Sequence, residues 1–160
     1  LVAGSMTEPG LRNRISGRRV YEESVVARIP EQLYTNIRFL GVRNDIPALL
    51  AAADVLCFPS TVPHFARPVI EASAMRVPVV ASDLGGPQEL VLNGETGILV
   101  LANDTGALAA ALLQLIGDPE YRKRLGEAGR RFAKQEFDAD TNTRRIIALY
   151  DELVRHNSGI

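Results

Sequence analysis

A single cysteine in 160 residues, Cys57, leaves no partner for an internal disulfide. It sits in the apolar run VLCFP and reads as a packed core thiol of a reducing compartment. Tryptophan is absent and aromatics are only 6% of the chain; Tyr121, Phe132 and Tyr150 read as packing residues. An excess of charge is also missing, because 18 Lys and Arg face 19 Asp and Glu for a net charge of −1. That balance supplies no broad basic face and argues against a nucleic-acid binder. The arginines from Arg12 to Arg19 form a local cluster in a glycine-containing loop and read as solvated. No apolar run approaches the roughly 20 residues of a membrane span, so a soluble, cytoplasmic protein is expected. No Asp/His cluster has metal-ligand spacing, and no metal or other cofactor is expected. The opening LVAGSMTEPG carries no GxGxxG turn, which sets an NAD-binding domain aside.

What is present is the composition of a globular domain, 46% hydrophobic and 23% charged. Leu1 to Gly4 (LVAG) reads as a short buried strand. A fold rarely starts on an interior strand, so the chain is expected to be part of a longer protein. Residues 5–17 read as a loop, and Arg19 to Ile29 has helical spacing with Pro30 as its stop. NIRFLG (36–41) is the second expected strand. Asp45-Ile46-Pro47 opens a helix through Ala53, with Asp45 as its N-cap. VLCFP (55–59) and VPVVAS (77–82) are apolar throughout, as strands covered on both faces are. A helix from Pro68 to Arg76 joins them. A short helix from about Pro87 precedes the fifth strand, GILVL (97–101).

From there helices alone remain. Thr105 to Ile116 is stopped by Gly117 at a C′ position. Asp118-Pro119-Glu120 starts a helix whose inner face is Tyr121, Leu125, Ala128 and Phe132. The last helix, from about Asp140 to His156, carries Ile146, Tyr150 and Leu153 on one face, with Ile147 and Val154 near it. Strand and helix alternate five times before the helical tail. The expected fold is therefore α/β, a single Rossmann-like doubly wound parallel sheet over residues 1–160 with C-terminal helices.

In such a sheet ligands sit at the carboxyl ends of the strands. The stretch from His64 to Glu89 (HFARPVIEASAMRVPVVASDLGGPQE) occupies two of those ends. Pro68 suits the first helical position, which leaves the amides of Val69, Ile70 and Glu71 at the positive end of the helix dipole. With Arg67 beside them they form an anion site. Glu71, one turn in, is placed to accept from a hydroxyl. Each residue also has a plain structural reading. Glu71 can serve the helix dipole, Arg67 a surface ion pair, and His64 the loop alone. Gly85-Gly86 can be a turn and Glu89 a cap.

The segments FLG, DIPALLAAADVLCFPS, FARPVIEASAMRVPVVASDLGG and PQELVLNGETGILV resemble the donor-binding domain of retaining GT-B glycosyltransferases, the large fourth family in particular. The motifs FLG, AADV-x3-PS, IEA, PVVAS, GG-x2-E and NG-x-TG follow in order, and the resemblance covers about Asn36 to Tyr150. The resemblance implies one half of a GT-B fold, truncated at its N-terminus, with the N-terminal acceptor domain missing. It implies transfer of a hexose-type sugar from a nucleoside diphosphate sugar to an acceptor hydroxyl, as in glycan or cell-envelope synthesis. Glu71 then matches the carboxylate that accepts from the ribose, and Ala66, Arg67 and Val69, with Phe65 beside them, lie near the diphosphate or the sugar. Pro68, with no N–H, shapes that loop. Backbone at Val42 and Arg43 borders the base, Gly85 and Gly86 form the neighbouring wall, and Glu89 remains in place. The partners implied are the nucleotide-sugar donor and the acceptor domain, with docking at the inner face of a membrane left to that domain. The family's basic pair on the diphosphate belongs upstream of Leu1.

The pattern fails at one point. The first glutamate of the family's Glu-x7-Glu motif falls on Pro63, His64 stands where glycine or proline is usual, and Ala66 replaces a common glycine. His64 is then the one candidate for a catalytic contact. The departure also keeps open a degenerate, non-catalytic domain that binds or regulates a partner. An epimerase or phosphorylase of the same architecture fits the helix-and-glycine pattern less well.

Overall fold

The computed structural model describes residues 28–38 and 40–157, and the chain divides into two compact units, Leu1–Ile46 and Pro47–Ile160. In the first unit Glu31–Asn36 is a 3₁₀ helix, with the Leu33 amide donating to the Pro30 carbonyl at 2.9 Å. The expected strand NIRFLG is not found among its described residues. Asn36 is committed to the 3₁₀ helix, residues 37, 38, 40 and 41 make no ladder, and Gly41 turns to φ 65°. The helix expected to reach Ile29 does not include Arg28 or Ile29, which form a turn and a bend. The strand at Leu1–Gly4, the loop 5–17 with its arginines, and the helix from Arg19 to residue 27 lie outside the described residues.

Next come α1 (Ile46–Ala51), β1 (Leu56–Phe58), α2 (Arg67–Ala74), β2 (Val79–Ser82), α3 (Gly86–Leu90) and β3 (Gly97–Val100). The chain ends in α4 (Thr105–Gly117), α5 (Pro119–Glu136) and α6 (Ala139–Asn157). The strands are parallel in the order β1-β2-β3, with Leu56 opposite Val79 and Val79 opposite Gly97. The α/β class with a parallel sheet and flanking helices is thus as expected. β2 is central and all four of its residues are buried. On one face Val80 and Val100 pack with Ala111 and Leu115 of α4 and Leu125 of α5. β3 lies so close to β2 that a methyl on Gly97 would stand 2.6 Å from the Val79 carbonyl oxygen.

Several boundaries move for local reasons. α2 closes in a Schellman motif: the Val77 amide donates to Ala72 O at 2.9 Å and the Arg76 amide to Ser73 O at 3.1 Å, with Arg76 left-handed at φ 62°. Val77 thus spends its amide on the helix and Pro78 has none, so β2 starts at Val79 rather than Val77. α1 ends at Ala51, where its last amides tighten to i→i−3 bonds such as Ala53 N to Leu50 O. Gly117 is the last residue of α4 and not a C′ glycine. Asp118 closes that helix and opens the next, its Oδ1 accepting from the Tyr121 amide at 2.9 Å.

Cys57 is not a core thiol. It pairs with Val80 in the sheet, but the helix layer that covers Val80 leaves β1 half open and Cys57 exposed. Partial desolvation still raises its pKa. The inner face of α5 is Leu125, Gly126, Gly129 and Ala133, whereas Tyr121, Ala128 and Phe132 are only half-buried. Gly126 on that face lets α5 press on the end of α2. A methyl on Gly126 would run into the Arg76 carbonyl oxygen, and Arg130 donates to the Ala74 carbonyl. A Gly126→Ala change is therefore expected to cost about 1–3 kcal/mol, read as a melting temperature several degrees lower. An unchanged melt would show that α5 slides freely at this crossing. Tyr150 is no packing residue among the described contacts; it is 64% exposed, on a helix whose Ile146, Ile147 and Leu153 are also exposed. Among the described residues no helix is long and apolar enough to cross a membrane.

Candidate functional site

The carboxyl ends of β1 and β2 open into two loops that close on each other. The first runs from Pro59 to Ala66 and delivers α2; the second runs from Asp83 to Gly85 and delivers α3. Gly85 has φ 62° and ψ −131°, and a methyl there would stand 2.9 Å from both Cα and Cβ of Pro63. A methyl on Gly86 would stand 2.5 Å from the His64 carbonyl oxygen, which accepts from the Gly86 amide at 3.2 Å. The two glycines are more than a turn, because they let the second loop lie directly on Pro63, His64 and Phe65.

The mouth of α2 is narrower than the spacing predicts. Arg67 holds the first helical position and Pro68 the second, so the donor-free residue sits one place further in. The Val69 amide, expected to be free, donates to Ala66 O at 2.9 Å, and the Val69 side chain is fully buried. Val69 therefore shapes the mouth and does not present to it. Ala66 is the N-cap, buried, at φ −95°, a backbone that needs no glycine. The Arg67 amide is left at the open end of the helix.

Arg67 is exposed and Glu71 half-buried, four residues apart and so on one face of α2. Neither has an ion pair or side-chain hydrogen bond among the described residues. A cation at a helix N-terminus works against the dipole by about 0.3–1 kcal/mol, and here no intrahelical pair offsets it. Such a placement suits an external anion. Phe65 is 67% exposed beside them. Glu89 lies in the first turn of α3, exposed, and makes no cap; the N-cap Gly85 has no side-chain bond.

His64 is held by its own loop. Nδ1 lies 2.9 Å from the Val62 carbonyl oxygen and 3.1 Å from Ser60 Oγ, and the ring tilts against Phe58 at 5.3 Å between centroids. Ser60 Oγ donates to the same Val62 oxygen at 2.7 Å. Ser60 and Phe58 are thus site residues that the linear reading missed; the only signal was the i, i+4 spacing of Ser60 and His64. Val42 and Arg43 belong to the first unit, where Val42 is exposed. Arg43 forks onto Asp45 through Nε to Oδ1 (2.8 Å) and Nη2 to Oδ2 (2.6 Å). That hydrogen-bonded guanidinium holds the Asp45 carboxyl below its ordinary pKa, and Asp45 gives both oxygens to it rather than serving as the expected cap. Among the described residues no three His, Cys, Asp or Glu side chains gather as metal ligands.

Residues 3–132 match the family described as glycosyl transferases group 1. The MMP alpha-(1->4)-mannosyltransferase of Mycolicibacterium hassiacum is 37% identical over 112 residues, 69% of this chain and 27% of that protein. The lipopolysaccharide core biosynthesis mannosyltransferase LpsB of Rhizobium meliloti is 32% identical over 97% of this chain and 43% of its own. Among solved structures, Anabaena Alr3699/HepE in complex with UDP-glucose superposes with a TM-score of 0.79 at 32% identity. That likeness covers 86% of this chain and 38% of HepE. This chain therefore spans less than half the length of each of these three proteins. A family match over most of the chain, joined to a parallel α/β fold shared with GT-B glycosyltransferases, places this chain in the glycosyl transferases group 1 family.

Proposed function

We propose that this chain is the nucleotide-sugar-binding half of a retaining, fourth-family glycosyltransferase that moves a hexose-type sugar to an acceptor hydroxyl. The observation that carries the reading is Arg67 and Glu71, without partners among the described residues, on one face of α2 at the strand ends where α/β sheets bind ligands. The open end of α2 and the Arg67 guanidinium meet the diphosphate and stabilise the charge that develops on it as it departs. Glu71 accepts from the ribose hydroxyls. The loop His64–Arg67 and the Gly85-Gly86 wall enclose the sugar end. The reaction as proposed asks for no metal, since fixed positive groups meet the leaving phosphate. The acceptor and the handling of its proton belong to the rest of the enzyme, which works in the cytoplasm or docks at the inner face of a membrane through its other domain. The HepE complex with UDP-glucose supports a nucleotide-sugar donor.

Calorimetric titration of the chain with UDP, GDP and ADP tests the site. Binding of one of them is expected, and heat from none of them in a folded sample overturns it. Pro63 favours a second reading, a degenerate domain that binds without turnover. Assay of the complete enzyme with and without Pro63→Glu separates the two. Turnover by the unaltered enzyme supports the active reading, and turnover only after the glutamate is restored supports the degenerate one.

A further inference from the structure

The hydrogen bonds around His64 decide its tautomer. The Val62 carbonyl oxygen can only accept, so a group 2.9 Å from it must carry a proton. If Nδ1 were bare, its lone pair would face that oxygen. Ser60 Oγ–H could not relieve the clash, because it is directed to the same carbonyl at 2.7 Å. With Nδ1 protonated every group is satisfied: Nδ1–H and Ser60 O–H both donate to Val62 O, and Ser60 Oγ accepts a longer contact from the Val62 amide at 3.4 Å. In the neutral ring, a proton on Nδ1 leaves Nε2 as an acceptor. The tilted contact with Phe58 fixes the ring plane as well. Nε2 has no partner among the described residues, and the side chain is exposed in the loop after β1, three residues before Arg67. Its neighbour Pro63 offers no side-chain hydrogen-bonding group of its own.

We infer that His64 is a specificity-determining residue: the loop locks it as the Nδ1–H tautomer so that Nε2 accepts a hydrogen bond from a hydroxyl of the donor sugar. This rests on the donor-site reading above. A neutral acceptor at this place selects sugars that present a hydroxyl there and disfavours those that carry a deoxy or alkylated position.

Two measurements test it. The chain has two histidines, His64 and His156, so ¹⁵N-histidine labelling gives two ring spin systems, and the spectrum of the His64→Asn variant, which keeps only His156, assigns them. His64 is expected to show a protonated Nδ1 and a bare Nε2, with the Nε2 signal moving on addition of UDP-glucose but not of UDP. A protonated Nε2 in the free neutral ring overturns the inference. The second measurement compares UDP with UDP-glucose, ADP with ADP-glucose and GDP with GDP-mannose by titration. His64→Asn keeps a donor for Val62 O and removes Nε2; it is expected to weaken the hexose ester roughly 3- to 10-fold and leave the bare nucleotide unchanged. His64→Gln, which can reach the Nε2 position, recovers part of the loss. Equal changes in ester and nucleotide, or no change in either, overturn the contact with the sugar. A chain that binds no nucleoside diphosphate at all overturns the donor-site reading and the sugar contact with it, a failure distinguishable because the ¹⁵N spectrum reads the tautomer alone.

Discussion

Replacing Glu71 by alanine is expected to weaken nucleoside diphosphate binding by about 1.5–3 kcal/mol, roughly 10- to 150-fold, and to leave pyrophosphate binding nearly unchanged. Glu71 is half-buried, one turn inside α2, with no partner among the described residues. A carboxylate so placed has lost part of its hydration without gaining a donor among the described residues, so a ribose hydroxyl forms a charge-assisted bond with it. Pyrophosphate lacks the ribose and reads only the helix end and Arg67. Glu71→Gln separates charge from shape, because the amide keeps an acceptor and loses the charge; an intermediate loss is expected. Folding should change little. No ion pair to Arg67 is broken, and the carboxylate's favourable term with the dipole is at most about 1 kcal/mol. Titrations of both ligands at one salt concentration check the prediction, since the diphosphate term is screened by salt and the ribose term much less. Equal losses for the two ligands would show that Glu71 acts on the phosphates or on the fold.

Particular residues show what could be read from the chain and what could not. Asp118-Pro119 marks the α4–α5 junction as its chemistry requires, since a carboxylate cap and a proline both favour a helix start. The apolar run of β2 is legible for the same kind of reason, because a strand covered on both faces carries apolar residues throughout. The placement of Arg67 and Glu71 on one face of α2 follows from their spacing alone. The losses come from groups whose partners lie far along the chain or in the path of a loop. Val77 reads as strand until its amide is seen bonded to Ala72 O. Cys57 reads as core because apolar neighbours say nothing of where a helix layer stops. Gly126 and Gly129 lie on the inner face of α5, and hydrophobic periodicity does not count a residue without a side chain. The carbonyl of Val62 cannot be seen at all in a string of side-chain letters, yet it sets the state of His64.

The two glycines of the GG-x2-E motif join fold and site, and a third glycine shows why. Gly94 has φ 79° with nothing within 4 Å of an added methyl, so Gly94→Ala meets backbone strain alone, about 1–2 kcal/mol. Gly86 is not in the left-handed region, but its methyl would stand 2.5 Å from His64 O and 3.0 Å from the Ala66 amide nitrogen. Gly86→Ala meets the collision alone, about 1–3 kcal/mol. Gly85 combines φ 62° with a methyl 2.9 Å from Pro63 Cα, backbone that cannot swing aside as a flexible side chain would. Gly85→Ala is therefore expected to be the most destabilising of the three, about 2–5 kcal/mol, with a melting temperature lowered accordingly. Binding should divide them differently. Relief of either collision moves the loop that carries His64 and the start of α2, so the Gly85 and Gly86 variants are expected to lose nucleotide-sugar affinity even at temperatures where they remain folded. The Gly94 variant should bind as the unaltered chain does, after its smaller loss of stability. Thermal melts paired with titrations of UDP-glucose at a temperature below all three transitions make the comparison. If the Gly94 variant lost affinity as the other two do, the loss would track strain and general stability, and the contact of the second loop with Pro63 and His64 would not be what shapes the site.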